Sequence, residues 1–367
     1  MDLVLYHPQQ GYYSSNQVKI GKEGDFFTSA NLGADLGELL AVQFAEMWDI
    51  LARPTPFTLV EMGAGEGLMA ADILPYLQKQ YPDCFGALEY IIVEKAPGLK
   101  AAQQQRLQNW PGEKVRWCSW EEIPPLSVTG CFFCNELLDA FPVHQMIREN
   151  GQLREIYVTI GRDDRFIEVI GELSTPQIAA YFALVGINLT GDNYPEGYRS
   201  EVNLAALDWV KTVASSLRRG YLLAIDYGYR ADKYYHPQRS SGTLQCYYRH
   251  QRHHNPYLNV GHQDITAHVD FTALERQGKL CGLEKLGKTQ QGLFLMALGL
   301  GDRLQALSTA NMGIERVLQR RDALHQLIDP MGLGGFGVLV QTKGLSERSQ
   351  AEPWERGARS LLGLSIP

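Results

Sequence analysis

Long apolar runs are missing from this chain of 367 residues. No stretch approaches the roughly 18 apolar residues that a membrane-spanning helix needs, so membrane insertion is not expected. A basic segment leading into an apolar core is also missing at the N-terminus, so no secretory signal is read. Cysteine is sparse, with six in the whole chain. That excludes a disulfide scaffold and points to reduced, partly buried thiols. Positive charge is not in excess: 34 Lys and Arg stand against 41 Asp and Glu, a net charge of −7. A broad nucleic-acid-binding surface is therefore not expected. Internal repeats and low-complexity tracts are absent, which removes repeat architectures. Metal-ligand spacing is absent too. His250, His253, His254, His262 and His268 lie close in sequence. They form no helical His-x-x-x-His pair and no zinc spacing with Cys246. Hydrogen-bonding or solvated histidines are the plainer reading, and no metal is expected. What remains is ordinary for a globular protein, 45% hydrophobic and 20% charged. The length suits one large α/β domain with insertions, or two domains.

The stretch that organises the chain is Thr58-Leu59-Val60-Glu61-Met62-Gly63-Ala64-Gly65-Glu66-Gly67-Leu68. An apolar run ends in an acid, glycines alternate, and Met69-Ala70-Ala71-Asp72-Ile73-Leu74 then reads as a helix. This is a strand, a tight turn and a helix N-terminus. Glycine suits backbone that bends sharply or lies against a ligand. The helix start offers free N–H groups. The dinucleotide fingerprint G-x-G-x-x-G/A is not met, because the sixth position is Leu68. An acid just before the first glycine is a poor neighbour for pyrophosphate. It suits a ligand that carries an amine or a sulfonium. The arrangement resembles the first motif of class I S-adenosylmethionine (SAM) methyltransferases. A nucleotide, or a glycine turn with no ligand, are the alternatives.

Taken in order, residues 1–30 are polar, aromatic and Gly-rich and read as a loop that packs on the body. Residues 33–51 have helical spacing, ended by Pro54 and Pro56. After the turn helix, Tyr90–Val93 reads as a second strand, with Glu94 at its end to accept hydrogen bonds from ribose hydroxyls. Val115–Cys118 reads as a third strand, with Trp120 and Glu121 beyond it as candidates to flank an adenine. The fourth, Gly130–Cys134, contains Cys131-Phe132-Phe133-Cys134. This is a CxxC by spelling only, since residues three apart on a strand point to opposite faces. Asn135, Glu136 and Asp139 follow at the strand's end. Buried acids without partners are costly, so they are expected to face a cleft. Residues 143–219 interrupt the alternation: an antiparallel meander over 143–173, then helices over 175–185 and 202–217. Tyr221–Ile225 reads as the fifth strand and ends at Asp226 and Tyr227. Residues 230–263 read as a long irregular loop, Asp264–Leu280 as a helix, and Leu283–Leu286 and Phe336–Gln341 as the closing strands. Residues 293–327 read as mostly helical, and the tail from Ser346 as loose.

The expected fold is α/β: a mostly parallel seven-stranded sheet with helices on both faces, plus an inserted α+β region over the site. The expected division is an N-terminal cap at 1–56, a first core half at 57–142 and the insertion at 143–219. A second core half at 220–345 and a tail at 346–367 complete it.

Several stretches together resemble the MidA-like class I methyltransferases, related to a mitochondrial protein needed for respiratory complex I assembly. They are Leu5-Tyr6-His7-Pro8 with Gly11-Tyr12-Tyr13, Gly24-Asp25-Phe26-Phe27-Thr28-Ser29, Glu61 to Gly67, Val93-Glu94, Asn135-Glu136-Leu137-Leu138-Asp139-Ala140-Phe141-Pro142, Asp226-Tyr227-Gly228-Tyr229, Gly242-Thr243-Leu244, and Asp264 to Phe271. The family usually carries an amphipathic segment before the first of these, and this chain is expected to lack it. No mitochondrial presequence is read, so a cytoplasmic location is expected. The resemblance implies a SAM fold, SAM as cofactor, and methylation of arginine on a protein. A respiratory-complex subunit is the partner it suggests, and a homodimer one candidate assembly.

On this reading Glu61, Gly63, Gly65, Gly67, Glu94, Glu121 and Asn135 hold SAM, and Asp25 and Thr28 close over the site. A protonated guanidinium must be oriented and relieved of a proton, which suits carboxylates. Glu136 and Asp139 are the expected catalytic pair, Asp226 a third candidate, and Tyr227 a neighbour on the acceptor side. A methyltransferase for a small molecule or another side chain, and a non-catalytic assembly factor that retains the fold, are the competing readings.

Overall fold

Short apolar runs, rich in β-branched and aromatic residues, form the centre of the molecule. The structure is a computed structural model that describes residues 1–14, 28–308 and 313–345. Asp25 and the tail from Ser346 lie outside the described residues. Seven strands make one sheet: β1 (Phe57–Met62), β2 (Leu88–Val93), β3 (Val115–Trp117), β4 (Val128–Asn135), β5 (Leu217–Asp226), β6 (Glu284–Gln290) and β7 (Gly337–Lys343). Their order is β6-β7-β5-β4-β1-β2-β3. β7 runs opposite in direction to the other six strands, antiparallel to both β6 and β5. Every residue of β1 is buried, as a parallel strand covered on both faces requires. The chain leaves β1 for β2 on one side and later returns through β4 on the other. That reversal opens a crevice at the carboxyl ends of these strands.

Two apolar layers sandwich the sheet. On one face pack the helices Asp35–Ile50, Leu68–Gln80, Gln291–Ala297, Leu300–Leu307 and Ile314–Ile328. On the other pack Leu204–Ser216 and Phe271–Leu280. Cys131 belongs to the first layer and Cys134 to the second. The strand pleat therefore separates the two thiols, as their spacing predicts.

Between β4 and β5 lies a four-stranded antiparallel sheet. Its strands, in spatial order, are Phe166–Gly171, Gln152–Ile160, His144–Glu149 and Arg199–Val202. The helix Pro176–Val185 also belongs to this stretch. The fourth strand takes Val202 out of the helix expected there.

Two readings of the C-terminal half are corrected. Residues 230–263 are not wholly irregular: Gln245–Tyr248, Gln251–His253 and Asp264–Thr266 form a three-stranded sheet. Strands this short, carrying Tyr, His, Arg and Gln, show no alternation to read. The helix expected from Asp264 begins only at Phe271. Asp270 ends the extended segment by accepting from the N–H groups of Thr272 and Ala273, at 2.9 and 3.3 Å.

The N-terminal stretch is not only packing. A short helix, Asp2–Tyr6, buries Leu5 with Tyr12 against Cys246 and Ile265. The same stretch turns Tyr6 and Tyr13 toward the crevice.

Candidate active site

The carboxyl ends of β1, β2, β4 and β5 open on a cavity of about 860 Å³. The glycine turn forms one wall. Gly63, Gly65 and Gly67 have φ of 68°, 52° and 78°, in the left-handed region where a side chain is strained. At Gly63 a Cβ would also meet Leu137 Cδ1 at 2.5 Å. Gly63 and Gly65 line the cavity, whereas Gly67 starts the helix Leu68–Gln80 and packs against Gln103. Glu61 is buried and accepts from the Tyr90 hydroxyl at 2.6 Å. Burial pushes its carboxyl up to about 7. Glu94 accepts from the Ala96 N–H at 2.9 Å and from Gln103 Nε2 at 3.0 Å. Burial raises its pKa, and these donors oppose the rise.

Across the cavity, Ser29 binds the end of β4. Its N–H and hydroxyl donate to Glu136 Oε1 at 2.8 and 2.7 Å, and Asn135 Nδ2 donates to the same oxygen at 3.1 Å. Glu136 itself has φ 52°, a conformation uncommon outside glycine. Its N–H donates to the Ile225 carbonyl at 2.9 Å. Burial raises its carboxyl pKa against the Ser29 and Asn135 donors. Thr28 lines the cavity, and its hydroxyl donates to Asn31 Oδ1 at 2.7 Å.

Asp139 and Asp226, both expected to be catalytic, have different surroundings. Asp226 is fully buried and does not line the cavity. It accepts from the N–H groups of Leu138, Asp139 and Tyr227, at 2.9, 3.3 and 2.8 Å. Those amides engage both oxygens, and burial outside the cavity makes Asp226 a group that holds the turn after β4 and not one that meets an acceptor. Asp139 lines the cavity and accepts from the Tyr227 hydroxyl at 2.6 Å through Oδ2. Its Oδ1 is buried with no hydrogen-bond partner among the described residues. Burial, with Asp264 and Glu136 nearby, pushes Asp139 up to about 8. Burial raises Asp226 as well, with Asp139 and Glu136 adding to the rise and the amides of Tyr227 and Leu138 opposing it.

Glu121 is corrected as well. It is exposed on the turn Trp120–Glu122 and is not part of the cavity wall. Trp120 stacks on Phe132 at 6.0 Å instead of lining the cavity.

The structure adds groups that sequence reasoning left out of the site. Tyr6 and Tyr13 stack at 5.5 Å. Tyr6 donates to the Ala140 carbonyl at 2.9 Å and Tyr13 to Asp264 Oδ1 at 2.7 Å. Asp264 and His268 line the cavity. His268 packs between the rings of Tyr227 and Tyr229, each at 5.2 Å. Burial lowers its pKa to about 4, and Nδ1 has no partner among the described residues. Ser29, Tyr6, Tyr13, Asp264 and His268 all fall in motif stretches, so a signal existed. Gln103 had none.

These residues fit SAM. Carboxylates of Glu61, Glu66, Glu94, Glu136, Asp139 and Asp264 line one cavity, which suits a ligand bearing a sulfonium and an amine. Glu94 would accept from the ribose hydroxyls, and the glycine turn would lie against the ligand. Sheet order and site together define a class I SAM-dependent methyltransferase.

The chain belongs to the family of S-adenosyl-L-methionine-dependent methyltransferases, which matches residues 39–289. It is similar to the Drosophila melanogaster protein arginine methyltransferase NDUFAF7 homolog, mitochondrial, at 29% identity over 90% of this chain and 77% of the relative. The Mus musculus protein arginine methyltransferase NDUFAF7, mitochondrial, is 27% identical over 95% of this chain and 78% of its own. A Burkholderia thailandensis protein bound to S-adenosyl-homocysteine is 33% identical, with a TM-score of 0.82 over 94% of this chain and 87% of that one. The expected cytoplasmic location is overturned by these curated relatives, which are named as mitochondrial proteins.

Proposed function

We propose that this chain methylates the guanidinium of an arginine side chain in a protein. One observation carries the reading. Asp139, whose buried Oδ1 has no partner among the described residues, lines the cavity together with Glu136 and Asp264. An unpartnered buried acceptor is costly unless a donor completes it. A planar, multi-donor cation is the acceptor group that such a wall fits best. The names of the relatives support the same chemistry. A respiratory-complex subunit is the candidate acceptor that the family resemblance suggests.

SAM supplies an activated methyl group. The chain's own residues supply alignment and proton removal. Glu136, fixed by Ser29 and Asn135, orients one guanidinium nitrogen. That nitrogen gains the methyl and releases one proton, and on this reading the Asp139 carboxylate takes it. Tyr6, Tyr13 and Tyr227 form an aromatic wall beside the acceptor. Incubation with radiolabelled SAM and a mitochondrial lysate tests the reading. Label should appear in protein, and acid hydrolysis should release it as methylarginine. Label confined to small molecules or to another residue would replace the acceptor, and no label in any fraction would remove the activity.

A further inference from the structure

Three adjacent strands end beside the cofactor wall, and one side chain ties their ends together. Gln103 lies on the helix Pro97–Arg106 and is fully buried. Its Nε2 donates to the Gly65 carbonyl at 2.7 Å and to Glu94 Oε2 at 3.0 Å. Its Oε1 accepts from the Trp117 indole N–H at 3.0 Å. Gly65 follows β1, Glu94 follows β2, and Trp117 ends β3. The amide has a single workable orientation. Reversed, its oxygen would face a carbonyl and a carboxylate, and its NH₂ would face an indole donor. The same side chain also backs Gly67, where a Cβ would lie 3.3 Å from Gln103 Cγ.

We propose that Gln103 is a positioning residue for the adenosine half of SAM, acting through Glu94. Glu94 is held from two sides, by the Ala96 N–H on Oε1 and by Gln103 on Oε2. These donors fix the plane of the carboxylate and favour its ionised form against burial. The acid is thereby ready to accept from ribose hydroxyls before any ligand arrives, which reduces the ordering cost of binding. The second Nε2 hydrogen holds the glycine turn in register with Glu94. No local sequence pattern shows this, because the three partners come from three separate strands.

Calorimetric titration with S-adenosylhomocysteine tests the proposal in the wild type, Gln103→Met, Gln103→Glu, Glu94→Gln and the double variant Gln103→Met/Glu94→Gln. Gln103→Met keeps the side-chain length and loses the donors, so the ligand should bind about 10 to 100 times more weakly. Gln103→Glu should lose at least as much at pH 8.5 and recover part of it at pH 6. A protonated carboxyl at that position again donates to one partner, and the wild type should show no such recovery. The double variant should bind within about threefold of Glu94→Gln alone, because the amide acts through that acid. Trp117→Phe removes the indole donor, along with part of the ring that packs on the core, and should weaken binding by about 3 to 10 times. It carries the test if Gln103→Met fails to fold, as judged by melting of the ligand-free protein. Affinities of both Gln103 variants within about threefold of wild type, or multiplying losses in the double variant, would overturn the assignment.

Discussion

At the scale of single residues, the site separates acids that look alike in sequence. Glu136 and Asp139 face the cavity, whereas Asp226 and Glu121 do not. Two outcomes follow from the atoms that each acid engages. Glu136→Gln keeps the size and loses the charge. It should leave S-adenosylhomocysteine affinity nearly unchanged in calorimetry and lower turnover by about 10² to 10⁴. Unaltered turnover would take Glu136 out of the chemistry. Asp139 must be ionised to receive a proton, and burial has pushed it up to about 8. The rate should therefore climb with pH through that region. The Tyr227 hydroxyl favours the ionised form by donating to Oδ2. Tyr227→Phe should shift the midpoint of kcat/KM to higher pH, and a midpoint that stays put would separate Asp139 from proton transfer.

Among elements, the turn after β4 decides whether the site exists. Its backbone is held by a carboxylate at the end of β5, 88 residues away from Leu138. Asp226→Ala would strand two buried N–H groups, those of Leu138 and Asp139, and the half-buried N–H of Tyr227. The cost should be on the order of 3 kcal/mol or more, seen as a lower melting midpoint with the ligand absent. Asp226→Asn keeps an acceptor oxygen and should cost less. If Asp226→Ala kept its melting midpoint and lost only turnover, the catalytic role expected from sequence would return. The same reasoning explains why the strands were easier to read than the loops. β1 and β4 are apolar runs covered on both faces, and they announce themselves locally. The sheet of Gln245–Tyr248, Gln251–His253 and Asp264–Thr266 depends on partners 3 to 21 residues apart, and Gln245, Tyr247, Arg252, Asp264 and Thr266 of it line the cavity.

For the molecule as a whole, concentrating carboxyls around one crevice has a thermodynamic signature. Burial pushes Glu61 up to about 7 and Asp139 up to about 8. Between pH 4 and 8 the folded protein therefore holds protons that the unfolded chain has released. Stability from these groups is present at low pH and declines as pH rises through 7 to 8. The ligand-free protein should melt at a lower temperature at pH 8.5 than at pH 6. Glu61→Gln should flatten that dependence by on the order of 1 to 3 kcal/mol. A cationic ligand in the crevice offsets the same repulsion, so S-adenosylmethionine should stabilise more at the higher pH. A melting temperature that rises from pH 6 to 8.5 without ligand would contradict this account.

The amino-acid sequence alone determined the layered α/β plan, the glycine turn and the acids at the strand ends. Those features are written in local periodicity and in backbone conformations that only certain residues tolerate. It could not say which acid keeps a free oxygen. That depended on where distant amides and hydroxyls came to rest: Tyr13 on Asp264, 251 positions away, Ser29 on Glu136, 107 away, and the turn amides on Asp226. A carboxylate's chemistry is set by the donors left to it after folding, and only the tertiary structure distributes them.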